Sequence, residues 1–175
     1  TGDAAPSLYL KGAVMDDYNE ELGKWRIRSS ADDNYVAYSA IFTDDSAPLK
    51  VIVEEDTTMY VYEGIHYQAD LEIVSVASAK LTLHTQRTPI VPTKTRSGYI
   101  NDGYLLSGSK LTLAVNLDIT MESYANDYNG SYLIRTIGGD LVINGGTIVA
   151  AYTGAASKPV GAIGVLEGGD LYISN

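Results

Sequence analysis

Cysteine is absent from this chain of 175 residues. That excludes disulfides and thiolate-held metal, and it leaves the compartment open. Histidine occurs only at His66 and His84, so nucleophile–histidine catalysis has few places to sit, and no serine or threonine lies in a nucleophile-elbow pattern. No apolar run reaches the length that spans a bilayer. No charged and apolar leader opens the chain, and Thr1-Gly2-Asp3 reads as a mature or trimmed start. Cations are scarce: 12 Lys and Arg against 22 Asp and Glu give a net charge of −10, which argues against general nucleic-acid binding. Tyrosine, by contrast, is abundant, with 14 copies against a single phenylalanine and a single tryptophan. Its ring suits a surface that is apolar but wet, of the kind that meets partners or sugars.

The organising feature is a short strand-like sequence led by residues 50, 80, 110, 140 and 170. Lys50-Val51-Ile52-Val53, Lys80-Leu81-Thr82-Leu83, Lys110-Leu111-Thr112-Leu113, Asp140-Leu141-Val142-Ile143 and Asp170-Leu171-Tyr172-Ile173 fall in one register. A fixed period of this size signals stacked structural units. Alternate residues of a strand share a face, so the apolar pairs of each unit are expected to point to one interior. A second strand is expected where Met59 and Val61 align with Pro89 and Val91, Ile119 and Met121, and Val149 and Ala151. A third is expected at Leu71–Val74, Tyr104–Leu106, Tyr132–Ile134 and Ala162–Val165. Small polar corners such as Asn144-Gly145-Gly146 separate the first two strands.

Three short strands per unit without a helix describe one turn of a parallel β-helix, which buries its apolar face only by stacking on its neighbours. The expected fold is therefore all-β: a right-handed parallel β-helix with about 30 residues per coil. A β-sandwich with evenly spaced strands is the alternative, but sandwich turns have no reason to hold one period. The repeat units are 48–77, 78–107, 108–137 and 138–167, with another starting at 168. Residues 1–45 read as an atypical N-terminal cap or partial coil, in which 34–42 supplies a third strand and Leu8–Leu10 and Trp25–Arg28 stand as strands of their own. The chain stops at Asn175 within the first strand of a further unit. On this reading either the solenoid continues, or another chain covers the open coil and head-to-tail self-association builds a fibre.

Several residue sets suggest chemistry. Asn126-Asp127-Tyr128-Asn129-Gly130 offers oxygen ligands on a turn, so Asn126, Asp127 and Asn129 are the metal candidates, with calcium the fitting ion and an ordinary polar turn the plainer reading. Asp32-Asp33-Asn34 is a second, weaker set. From Ile73 to Asn101 there is no Asp or Glu, whereas Lys80, Arg87, Lys94 and Arg96 fall there, a basic belt that suits an anionic polymer, with a solvated face balanced by neighbouring coils the plainer reading. Glycoside hydrolysis needs two carboxylates at a set separation. The aligned columns Glu54, His84, Ala114, Asn144 and Asp56, Gln86, Asn116, Gly146 each carry only one.

Gly138-Gly139-Asp140-Leu141-Val142-Ile143-Asn144-Gly145-Gly146, Gly161-Ala162-Ile163-Gly164 and Gly168-Gly169-Asp170-Leu171-Tyr172-Ile173 resemble the glycine-rich repeats of bacterial surface β-helix proteins. These belong to the broad pectate-lyase-like group, whose surface members are carbohydrate-binding or adhesin-like. The resemblance covers residues 138–175 by motif and 48–137 by period alone. It implies an extracellular or cell-surface location and a non-enzymatic role in binding a glycan or cell-surface polymer. The alternatives are a structural subunit of a fibre, pilus or virion tail appendage, and a polysaccharide lyase or glycoside hydrolase. The lyases use acidic calcium ligands and a basic residue on one face, a set that has no evident counterpart in this sequence. For binding, the candidate contacts are Tyr99, Tyr104, Tyr124, Tyr128 and Tyr132 with Arg87 and Arg96. No nucleic acid, membrane span or cofactor other than calcium is expected.

Overall fold

The computed structural model describes residues 7–10, 13–19, 24–29, 35–37, 47–61, 65–85, 104–121, 131–153 and 160–175. Among them every regular element is a strand. The order opens with β1 (Ser7–Leu10), β2 (Ala13–Asn19), β3 (Lys24–Ser29) and β4 (Tyr35–Ala37). Next come β5 (Leu49–Val53), β6 (Thr57–Val61), β7 (Ile65–Ser75), β8 (Lys80–Thr85), β9 (Tyr104–Ala114) and β10 (Asn116–Met121). The last are β11 (Ser131–Ile137), β12 (Leu141–Asn144), β13 (Ile148–Tyr152), β14 (Val160–Leu166) and β15 (Leu171–Ser174).

Three ladders of parallel strands organise these elements, and from β5 onward the chain visits them in rotation. The first holds β1, β5, the second half of β7, the second half of β9, β12 and β15. The second holds β2, β6, β8, β10 and β13. The third holds the first halves of β7 and β9, then β11 and β14. Because β7 and β9 run through the third ladder into the first, these two ladders form one sheet, and the second ladder is a sheet of its own.

Alternation explains the core. In the first ladder Val51, Ile73, Leu113 and Ile143 stack in one buried column, and Leu71, Leu111 and Leu141 in the next. The second ladder adds Met59, Leu83 and Ile119, and the third adds Leu105, Leu106, Leu133 and Ile134. Each such side chain contributes about 1.5–3 kcal/mol on burial, and each strand satisfies its backbone through the strands on either side.

The register differs from the even repeat. Lys50 faces Glu72, 22 residues on, and Asp70 faces Lys110, 40 residues on. Only the last two intervals are 30 residues, as between Asp140 and Asp170. One short round and one long round keep the mean near the period, so Lys80-Leu81-Thr82-Leu83 matches its neighbours in sequence but not in space. Leu81 and Leu83 belong to the second ladder, opposite Leu117 and Ile119. The place in the first ladder is taken by Leu71 and Ile73, expected in a third strand, because β7 runs on into that ladder as one strand, with a register shift between Tyr67 and Asp70.

A parity shift occurs at β13. Ile119 pairs with Ala150 and Met121 with Tyr152, so Ile148, Ala150 and Tyr152 continue the inner face and Val149 is 53 % exposed. The corner before β13 is one residue longer, five steps from Ile143 to Ile148 against four from Leu113 to Leu117. A one-residue change moves every following side chain to the other face. Pro89 and Val91 lie outside the described residues.

At the N-terminal end, β1 and β2 open the first and second ladders. β3 then pairs antiparallel with β2, and β4 antiparallel with β3. Residues 35–37, expected to supply a third strand of a coil, instead close the edge of the second sheet.

Candidate functional site

Polar side chains tie successive rounds together at the corners. Asp56 Oδ1 accepts from the backbone N–H of Lys80 at 2.9 Å, and Ser75 Oγ from that of Asn116 at 3.1 Å. Asn116 Oδ1 accepts from the N–H of Thr147 at 3.2 Å, and Asp140 Oδ1 from that of Asp170 at 3.0 Å. Ion pairs join neighbouring strands: Lys50 with Glu72 at 3.0 Å, Lys80 with Asp118 at 2.8 Å, and Lys110 with Asp70 at 3.4 Å. The Asp118 carboxylate, by hydrogen bond and by charge, holds the Lys80 ammonium above its ordinary pKa. The charges of Asp170 and Asp140 push the Tyr172 phenol up in the same direction.

The richest cluster lies on the third ladder. Backbone register places His66 opposite Ser107, Ser107 opposite Arg135, and Arg135 opposite Gly164. A second column runs Tyr104, Tyr132, Gly161. The guanidinium carbon of Arg135 sits 4.1 Å from the centroid of the Tyr104 ring, a cation–π contact worth about 0.5–2 kcal/mol. His66 meets the same ring edge-on, at 6.2 Å between centroids and 61° between planes. Ser107 Oγ lies 3.0 Å from His66 Nδ1 and accepts from Arg135 Nε at 3.2 Å. The arginine is always a donor, so Ser107 Oγ accepts from it and has both a lone pair and a proton left for His66 Nδ1. Ser107 is fully buried, so its hydroxyl serves these two neighbours and does not meet an incoming molecule.

The second column ends differently. Tyr132 is half-buried, and its ring lies flat on the backbone of β14. A Cβ built on Gly164 would stand 2.6–2.8 Å from ring atoms Cγ, Cδ1 and Cδ2 alike. Near-equal distances to three atoms place that point above the ring face, not at its rim. A Cβ on Gly161 would lie 2.5 Å from Cδ1 and 2.6 Å from Cε1 of the same ring.

Of the residues expected to bind, Tyr104 and Tyr132 occupy adjacent register positions; Tyr104 is 9 % exposed, under Arg135, and Tyr132 the more open of the two. Arg87, Arg96, Tyr99, Tyr124 and Tyr128, and the metal candidates Asn126, Asp127 and Asn129, lie outside the described residues, as do Asp32, Asp33 and Asn34. His66, Ser107 and Arg135 were not among the expected contacts. They sit 41 and 28 residues apart, so a search at one fixed period passes over them. Among the described residues no helix is long and apolar enough to cross a membrane.

No family model, curated protein or solved structure matches the chain.

Proposed function

We propose that this protein is a right-handed parallel β-helix of the bacterial surface kind and that it works by binding. Its role is extracellular and non-enzymatic, and it holds a glycan or cell-surface polymer on its lateral face. The rotation of the chain among three parallel ladders supports the β-helix reading, and parallel crossovers take the right hand in nearly all folds. The observation that carries the binding reading is the half-buried Tyr132 beside Arg135, whose guanidinium rests on the buried Tyr104 ring. Aromatic rings supply faces for sugar C–H groups, and polar side chains next to them supply hydrogen bonds to hydroxyls. Calcium, where it takes part, falls to Asn126, Asp127 and Asn129.

Native gels containing soluble neutral and acidic polysaccharides test this reading. Retarded migration in at least one of them is the expected result, and unchanged mobility in all of them overturns it. Repeating the gels with a calcium chelator decides the metal.

A second reading, assembly of copies into a fibre, is favoured by β15. Leu171 and Ile173 stand on the Leu141 and Ile143 columns yet are 46 % and 66 % exposed. A parallel strand laid on β15, from further residues of the same solenoid or from a second copy, would bury both. Light scattering of the purified chain, with and without Ile173→Asp, separates assembly from lateral binding.

A further inference from the structure

The two tyrosines of the column are built for different tasks. Tyr104 is buried, with a guanidinium on its ring and an imidazole at its edge. Tyr132 has one ring face over Gly164 and its Cδ1–Cε1 edge against Gly161, and a side chain on either glycine would collide with the ring. Two glycines at these positions are otherwise costly in a strand, since glycine loses the most conformational entropy on folding and packs nothing. Both lie in β14, directly beside β11. The strand thus bounds the ring from beneath at Gly164 and along one edge at Gly161, two contacts that restrict its plane before any ligand arrives. Pre-set aromatic faces gain affinity because little side-chain entropy remains to be lost.

We infer that Tyr132 is a pre-seated aromatic platform for the C–H face of a pyranose ring, with Gly161 and Gly164 as its positioning residues. This rests on the glycan-binding reading and narrows it. Among the described tyrosines of the column, Tyr132 meets the sugar, and Tyr104 supports Arg135 from beneath. A hexopyranose with several axial C–H bonds on one side, as in β-linked glucans and galactans, presents the flat apolar face that such a ring accepts. The phenol hydroxyl is not required for stacking.

The test is affinity electrophoresis of the full chain in gels containing β-glucan, galactan, dextran or pectin, comparing wild type with Tyr132→Phe, Tyr132→Leu and Gly164→Ala. Tyr132→Phe should retain the wild-type dissociation constant within about twofold, whereas Tyr132→Leu should weaken retention about tenfold or more. Tyr132→Leu keeps apolar bulk at the site, and circular dichroism melting confirms that each variant is folded. Gly164→Ala, which tilts the ring without removing it, should weaken retention on the same polysaccharide by several-fold. Wild-type retention that Tyr132→Leu leaves unchanged overturns the platform while leaving glycan binding in place. Absence of wild-type retention on every polysaccharide overturns both.

Discussion

Asp140 and Asp170 occupy equivalent positions in successive rounds, and the side-chain Oδ1 of the first accepts the backbone N–H of the second at 3.0 Å. A carboxylate thus closes a backbone donor of the strand above, as a capping residue does at a helix start. Asp140→Asn keeps the acceptor and should leave stability nearly unchanged. Asp140→Ala should cost about 0.5–1.5 kcal/mol. Urea unfolding of the two variants checks the difference, and amide hydrogen exchange at Asp170 should quicken only in the alanine variant.

Thr136 is fully buried and its hydroxyl has no hydrogen-bond partner. An unmade hydrogen bond in the interior costs about 1–3 kcal/mol, so the near-isosteric Thr136→Val is expected to raise the urea midpoint. Thr136→Ala, which also removes a methyl group, should gain less or lose stability. A lower midpoint for the valine variant would show that the hydroxyl is satisfied after all.

Gly145 and Gly146 both have positive φ, +95° and +83°. A Cβ at Gly145 would meet open space, whereas one at Gly146 would run into the carbonyl of Val115 in the round below. Gly145→Ala should therefore cost only the backbone term of about 1 kcal/mol. Gly146→Ala should cost clearly more, because the corner must move off its neighbour. Paired thermal melts decide; equal losses would mean that the corner yields freely.

Alkaline pH should loosen the molecule. Lys80 in the folded chain holds its proton above the ordinary value of 10.5, and Tyr172 above 10.0. For both, the folded state binds the proton more tightly than the unfolded state. Their contribution is complete below those ordinary values and is lost as pH rises through the raised ones. Both groups are exposed and screened, so the effect is small. Urea midpoints measured from about pH 9 to 12 should fall, and Tyr172→Phe should fall less steeply.

The register can be read covalently, since the chain has no cysteine of its own. Thr58 and Thr82 are neighbours in the second ladder, where parallel strands stand about 4.8 Å apart. Disulfides tolerate that Cα separation. Thr58→Cys with Thr82→Cys should oxidise readily. Thr82→Cys with Thr112→Cys, the pair matched by the even repeat, should stay reduced. Mass spectrometry after mild oxidation distinguishes the two registers.

The parallel, all-β character was legible because alternation leaves a strong mark: Leu111-x-Leu113 and Leu141-x-Ile143 stack as their spacing predicts. The interval between them is undisturbed at 30 residues, so sequence and space agree there. The earlier rounds were illegible for a definite reason. Leu71-x-Ile73 and Leu81-x-Leu83 carry the same apolar alternation, and nothing local says which of them the first ladder takes. That choice is made by β7 continuing as one strand through the register shift between Tyr67 and Asp70, a property of the chain path and not of composition. At the candidate site, tyrosine enrichment pointed to Tyr104 and Tyr132. The glycines against the Tyr132 ring, Gly161 and Gly164, also stand in the sequence, but their spacing fits a glycine-rich repeat equally well, and only the register of β14 beside β11 brings them to that ring.

β7 and β9 each belong to two ladders at once, as unbroken strands of 11 residues. Under a pulling force this gives them the character of rivets. A round joined by separate short strands can peel from one ladder while the other holds, but a rivet strand must break its partners in both ladders together. Among the described strands the mechanically toughest stretch should therefore lie between β7 and β9.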